Sequence, residues 1–219
     1  MEIRTCRRAS TRPVAPNVGR RRVLPHVHCP VLWQCRHDDP FETLRRRDTL
    51  DMRIALLTGT VGIGKSTTGY AVAERAASQG HSAAFLDVDE LSRLWPARAG
   101  DPFNTDLILR NLASLVGNYA DAGADLLVLA WVVQNTDDLV RLEDAVGASV
   151  VAFRLSAATT TVEARLRQRH QGTEFDGLAW HLDRAPELVA IQDRGLRLPI
   201  VDAAGSISES VDAILALLT

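Results

Sequence analysis

Residues 53–80 impose the tightest constraint on what this chain can become. "RIALLT", 53–58, is a short apolar run of the buried-strand type. "GTVGIGKS", 59–66, follows it, and "TTGYAVAERAASQG", 67–80, has helical spacing that stops at Gly80. Strand, glycine loop and helix in that order form a nest for phosphate. Gly59, Gly62 and Gly64 let the backbone curl with its N–H groups turned inward. The helix that follows offers free N–H groups and its positive dipole end to the same anion.

The stretch fits G-x-x-x-x-G-K-[ST], the P-loop, at Gly59, Gly64, Lys65 and Ser66. Lys65 is the only lysine in a chain whose other 24 basic residues are arginine. A bias that strong removes lysines that arginine can replace. Here a compact ammonium on a flexible stem reaches β/γ-phosphates, where a planar guanidinium would crowd the nest. Ser66 offers a hydroxyl to Mg²⁺. Thr60, Ile63 and Thr67 complete the set expected around the nucleotide.

The 219 residues fall into two unlike parts. Residues 1–51 carry 11 arginines against 6 acids, and residues 52–219 carry 14 basic against 21 acidic residues. The first part is rich in Arg and Pro without strand or helix period, and is expected to be a disordered extension, with the folded domain over 52–219 opening at Met52. His26, His28, Cys29, Cys35 and His37 cluster there, but in no standard zinc spacing. The second part is acidic, so a broad basic face for nucleic acid is not expected. No apolar run is long enough to span a bilayer. All three cysteines lie in the first part, so the domain needs no disulfide, and a cytoplasmic setting is expected.

Beyond Gly80, strands and helices alternate. Strands are expected at about 82–87, 125–132 and 148–156, with a last one in "LPIVDAAG". Helices are expected over 105–123, in "NTDDLVRLEDAVG", "TTTVEARLRQRHQG" and "DGLAWHLDRAPELVAIQDRG", the last with Pro186 as a kink or a break. A final helix, "SISESVDAILALLT", opens on a serine cap. This alternation predicts an α/β fold with a parallel sheet covered on both faces. Ligands in such sheets bind at the carboxyl ends of the strands.

Phosphoryl transfer needs a metal anchor, a group for the acceptor and positive charge over the moving phosphoryl. The third strand ends "LVLAWVV" without an acid, and Asp125 stands at its wrong end. The second strand ends in Asp87-Val88-Asp89. In an extended D-x-D both carboxylates point to one side. The spacing leaves the division of labour between them open; the working assignment sets Ser66 and Asp87 at Mg²⁺ and Asp89 at the acceptor. Arg165 and Arg169 share a helix face at i, i+4, Arg167 pointing away, and either of the pair could cover the phosphoryl. Residues 170–177, "HQGTEFDG", read as a lid. Arg93 and Trp131 are candidate acceptor contacts, with Trp95, Gln134 and Asn135 near them. His181 reads as structural.

Over about 52–219 the chain resembles the small P-loop kinases of the shikimate, gluconate, adenylylsulfate and chloramphenicol phosphotransferase kind. The resemblance rests on "GTVGIGKST", "FLDVDEL", "EARLRQRHQG" and "LPIVDAAGSISESVDAIL". It implies a P-loop NTPase three-layer sandwich, a five-stranded parallel sheet in order 2-3-1-4-5 with a small lid, Mg-ATP as donor and a small hydroxyl compound as acceptor. It also sets the loop from Asp202 to Gly205 beside the adenine. Two other readings stay open: a nucleoside or nucleotide kinase, and an ATP-hydrolysing regulatory or binding module.

Overall fold

A computed structural model of the chain describes residues 51–171 and 177–218. The expectations for residues 1–50, and for most of the lid at 172–176, lie outside the described residues. Five strands form one sheet: β1 (Arg53–Thr58), β2 (Ala83–Asp87), β3 (Leu126–Ala130), β4 (Val150–Ser156) and β5 (Ile200–Asp202). All pairings are parallel, in the order β2-β3-β1-β4-β5. The helices are α1 (Lys65–Ser78), α2 (Thr105–Asp121), α3 (Thr136–Val146), α4 (Thr159–Arg169), α5 (Leu178–Gly195) and α6 (Ile207–Leu218).

β1 lies at the centre and is buried from Ile54 to Thr58. Its side chains alternate between two cores. Ala55 and Leu57 join Val72 of α1, Phe153 of β4, Leu166 of α4 and Ile214 of α6. Ile54 and Leu56 join Leu112 of α2, Leu129 of β3 and Leu142 of α3. A strand buried on both faces must be apolar at nearly every position, which is why "RIALLT" shows no period of two. Each such leucine contributes about 1.5–3 kcal/mol by leaving water.

The caps follow local chemistry. The Asn135 side chain accepts from Asp138 N at 3.0 Å to open α3, and Gly147 closes it with φ 67°. At α6, Ser206 Oγ accepts from Glu209 N at 3.3 Å while Glu209 accepts from Ser206 N at 2.8 Å, a reciprocal capping box. Those donated hydrogen bonds hold the Glu209 carboxyl below its ordinary value.

Of the two outcomes open at Pro186 the break is excluded, and one detail differs from the sequence reading. Helix α5 runs through Pro186 without a break. The D-x-D is not extended: β2 stops at Asp87, whose carboxylate accepts from Asp89 N at 3.2 Å and caps a short 3-10 helix, Val88–Ser92. A short acid at a strand end competes for the backbone N–H two residues on, and here that turn wins over continued pairing.

Candidate active site

Leu57, Ala130 and Asp87 lie in one row across the sheet, Ala130 paired with both neighbours. The P-loop, Asp87-Val88-Asp89 and the segment 131–134 therefore all leave the sheet at the same edge. Gly59 has φ 138°, and a Cβ there would stand 2.7 Å from the Leu155 carbonyl oxygen. Glycine is required at this position both for the left-handed backbone and for the close approach of β4.

Lys65 is the first residue of α1 and is buried. Its Nζ donates to the carbonyls of Thr60 at 3.0 Å and Gly59 at 3.3 Å. Burial lowers its pKa to about 8, against the opposing pull of Asp89 and Asp87. Ser66 Oγ donates to Asp87 Oδ2 at 2.6 Å. Burial raises the pKa of Asp89; Lys65 opposes the rise and Asp87 adds to it.

These groups line a groove of about 590 Å³ with Gly62, Ile63, Gly64, Thr67, Arg165 and Arg169. The two arginines are used differently. Arg165 donates to the Ile63 carbonyl at 2.9 Å and the Ala203 carbonyl at 2.7 Å, tying the P-loop to the segment after β5. Arg169 is exposed, close enough to Lys65 and Asp89 to act on their charge. Asp202 lies outside the groove lining; its carboxylate accepts from Ala204 N at 2.8 Å, while Ala203 and Gly205 form part of the wall. Thr60 is buried, its hydroxyl donating to the Ala185 carbonyl of α5 at 2.8 Å.

A second cavity of about 430 Å³ adjoins the groove. Val61, Asp89 and His181 belong to both linings. Trp131, 8% exposed, walls it from the core side, with Gln134 beyond. Val133 N donates to Thr58 Oγ1 at 3.0 Å, and Gln192 Nε2 of α5 donates to the Val133 carbonyl at 2.7 Å. These buried bonds fix segment 131–134 against β1 and α5. Trp95 is also in the lining. Arg93 is not; it pairs with Glu90 at 2.6 Å. His181 Nδ1 donates to the Gly177 carbonyl at 2.6 Å, and burial lowers its pKa.

The sequence reading did not single out Phe103, Asn104 and Trp180, which the fold brings to this cavity. Phe103 and Asn104 sit in an irregular loop, and only Trp180, a large aromatic in the first turn of a helix, carried a readable signal.

Mg²⁺ usually keeps several waters and is held by one or two protein oxygens plus phosphates. The Ser66 hydroxyl and Asp87 carboxylate, adjacent at the mouth of the nest, fit that demand. Among the described residues no group of three or more His, Cys, Asp or Glu side chains forms a fuller cage.

No protein-family model matches the chain, and no curated protein matches it. Solved structures do. The tunicamycin resistance protein of Deinococcus radiodurans superposes with TM-score 0.51 at 23% identity, covering 76% of this chain and 95% of that one. Shikimate kinase from Bacteroides thetaiotaomicron gives TM-score 0.52 at 20% identity, covering 76% and 98%. The Mycobacterium tuberculosis APS kinase in complex with AMPPNP and APS gives 0.50 at 20%, covering 76% and 97%. Strand order, parallel pairing, helices on both faces and these likenesses agree: the chain has the fold of the P-loop small-molecule kinases.

Proposed function

We propose that the protein transfers the γ-phosphoryl group of Mg-ATP to a hydroxyl of a small molecule. The observation that carries this reading is the pair of adjoining cavities that share Asp89. A hydrolytic switch needs only the first; a phosphotransferase needs a second chamber whose contents can face the phosphate end of the nucleotide. The APS kinase structure with bound AMPPNP supports an ATP-like donor in the P-loop groove.

In this mechanism the loop amides and the Lys65 ammonium bind the polyphosphate. Ser66 and Asp87 would hold Mg²⁺, which when bound would neutralise charge at the phosphates. Asp89 orients the acceptor hydroxyl, and its raised proton affinity suits it to take the proton. The acceptor oxygen forms its bond to phosphorus as the bond to the leaving ADP oxygen breaks. Arg169 lies over the transferred group, while Arg165 holds the groove walls. A cytoplasmic setting belongs to the same proposal, and among the described residues no helix is long and apolar enough to cross a membrane.

The test is ADP release from Mg-ATP by the full chain with and without added acceptors. Release that depends on a small hydroxyl compound, and is lost in Asp89→Asn, is the expected result. Release driven only by added protein or nucleic acid would instead favour the regulatory module.

A further inference from the structure

We infer that the acceptor is an uncharged alcohol carrying an aromatic or similarly flat apolar ring, not a hydroxy acid or a phosphorylated compound. This rests on the phosphotransferase reading above and narrows its substrate.

The first observation is where large apolar side chains are left in water. Trp95 is 77% exposed, Phe103 55% and Trp180 51%, and all three line the second cavity. They come from two separate places, the loop between Arg93 and Asn104 and the first turn of α5. Core packing does not account for them, unlike Trp131, which is buried beside them. Aromatic surface gathered around one concavity marks a binding site. Rings that line one cavity are suited to hold a flat apolar group by stacking or edge contact.

The second observation is that the loop is held in place. Asn104, with φ 53°, donates its amide to the carbonyls of Ser92 at 2.8 Å and Leu94 at 3.0 Å. Asp101 accepts from the N–H groups of Thr105 at 2.8 Å and Asp106 at 3.0 Å, anchoring the loop to the start of α2. Trp95 and Phe103 are thereby positioned before any ligand arrives, which lowers the ordering cost of binding.

The third observation is charge. Among the described residues, the lining contains two arginines and two aspartates, Arg141 and Arg184 against Asp89 and Asp138. Both arginines are committed: Arg141 lies 3.2 Å from Asp106, and Arg184 lies 2.6 Å from Glu187 and 3.4 Å from the Gln134 side-chain oxygen. His181 is held towards its neutral form by burial. An anionic acceptor is best received by a guanidinium fork with charge to spare. Here both forks already have a carboxylate partner that offsets their charge, and the anion would approach Asp89 as well. A neutral alcohol meets neither cost.

The experiment uses the full chain and four probes: uridine and 1-phenyl-1,3-propanediol as neutral ring-bearing alcohols, gluconate and shikimate as hydroxy acids. Tryptophan emission is titrated with each, and ADP release from Mg-ATP is measured in parallel. The inference expects at least one neutral probe to saturate the emission change at millimolar concentration and to outpace both acids in ADP release. It also expects Trp95→Ala and Trp180→Ala each to raise the KM for that probe about tenfold, the loss of one stacking contact, with the Mg-ATP affinity within about twofold of the parent. Tighter binding or faster turnover of either acid overturns it, as does an emission trace indifferent to both neutral probes, or a KM unmoved by both variants. Failure of Mg-ATP to bind sinks the phosphotransferase reading instead, while the emission titrations still decide the acceptor class.

Discussion

Ser66 Oγ donates to Asp87 Oδ2 at 2.6 Å, joining the first turn of α1 to the end of β2. Two elements 21 residues apart thus meet at the point where the phosphate nest opens. A hydroxyl and a carboxylate in contact offer two of the oxygens that Mg²⁺ would need, with phosphate oxygens and water left to supply the rest. Ser66→Ala and Asp87→Asn are each expected to weaken the Mg²⁺ dependence of ATP binding, and to lower kcat by about 10²–10³. Calorimetric titration of ATP with and without Mg²⁺ checks the first part. A parent-like response to the metal in both variants contradicts the assignment.

Lys65 ties nucleotide affinity to pH. Its pKa is lowered to about 8 from an ordinary 10.5 because the ammonium is buried. Bound phosphate favours the charged form, so binding takes up a proton between those values. Affinity for Mg-ATP is therefore expected to fall as pH rises through 8 and beyond. Lys65→Ala should bind about tenfold or more weakly, and with a flat profile over that range. Titrations in buffers of different ionisation enthalpy read the proton uptake directly.

Arg165 and Arg169 are expected to separate in a mutant pair. Arg165 makes two hydrogen bonds to carbonyls, and its loss is expected to cost about 1–3 kcal/mol of folding stability. Arg169 is exposed, so Arg169→Ala should leave the thermal midpoint alone while lowering kcat. Melting curves beside initial rates distinguish the two roles; equal loss of stability in both variants would contradict the division.

Gly59→Ala is expected to be destabilising by about 1–3 kcal/mol, since φ 138° disfavours any side chain and the added carbon would stand 2.7 Å from a backbone oxygen of β4. Backbone cannot swing away as a side chain can. Denaturant unfolding compared with Gly80→Ala, whose added carbon meets nothing within 4 Å, isolates the contribution of the close approach from that of the positive φ.

Much of the fold was legible because it is written in local patterns. "RIALLT", "LLVLA" and "VVAFRLS" are apolar runs of strand length. The P-loop was readable because one short segment must supply glycines, ammonium and hydroxyl together. The turn after Asp87 was misjudged because a carboxylate's choice between ladder and cap is a contest of similar energies. Phe103, Asn104 and Trp180 were missed for another reason: what makes them neighbours is the packing of α2 and α5 on the sheet, and no spacing along the chain encodes that. The contrast between Arg165 and Arg169 was equally hidden, since i, i+4 places both on one face without saying which end of the groove each meets.

The grip of Arg165 falls on two main-chain oxygens, those of Ile63 and Ala203. Every amino acid supplies such an oxygen. The clasp itself therefore does not depend on the side chains at 63 and 203, which answer instead to the core in which both are buried, whereas the guanidinium has no substitute. The oxygens stay in place whichever residue carries them, and only loss of the hand itself would open the clasp.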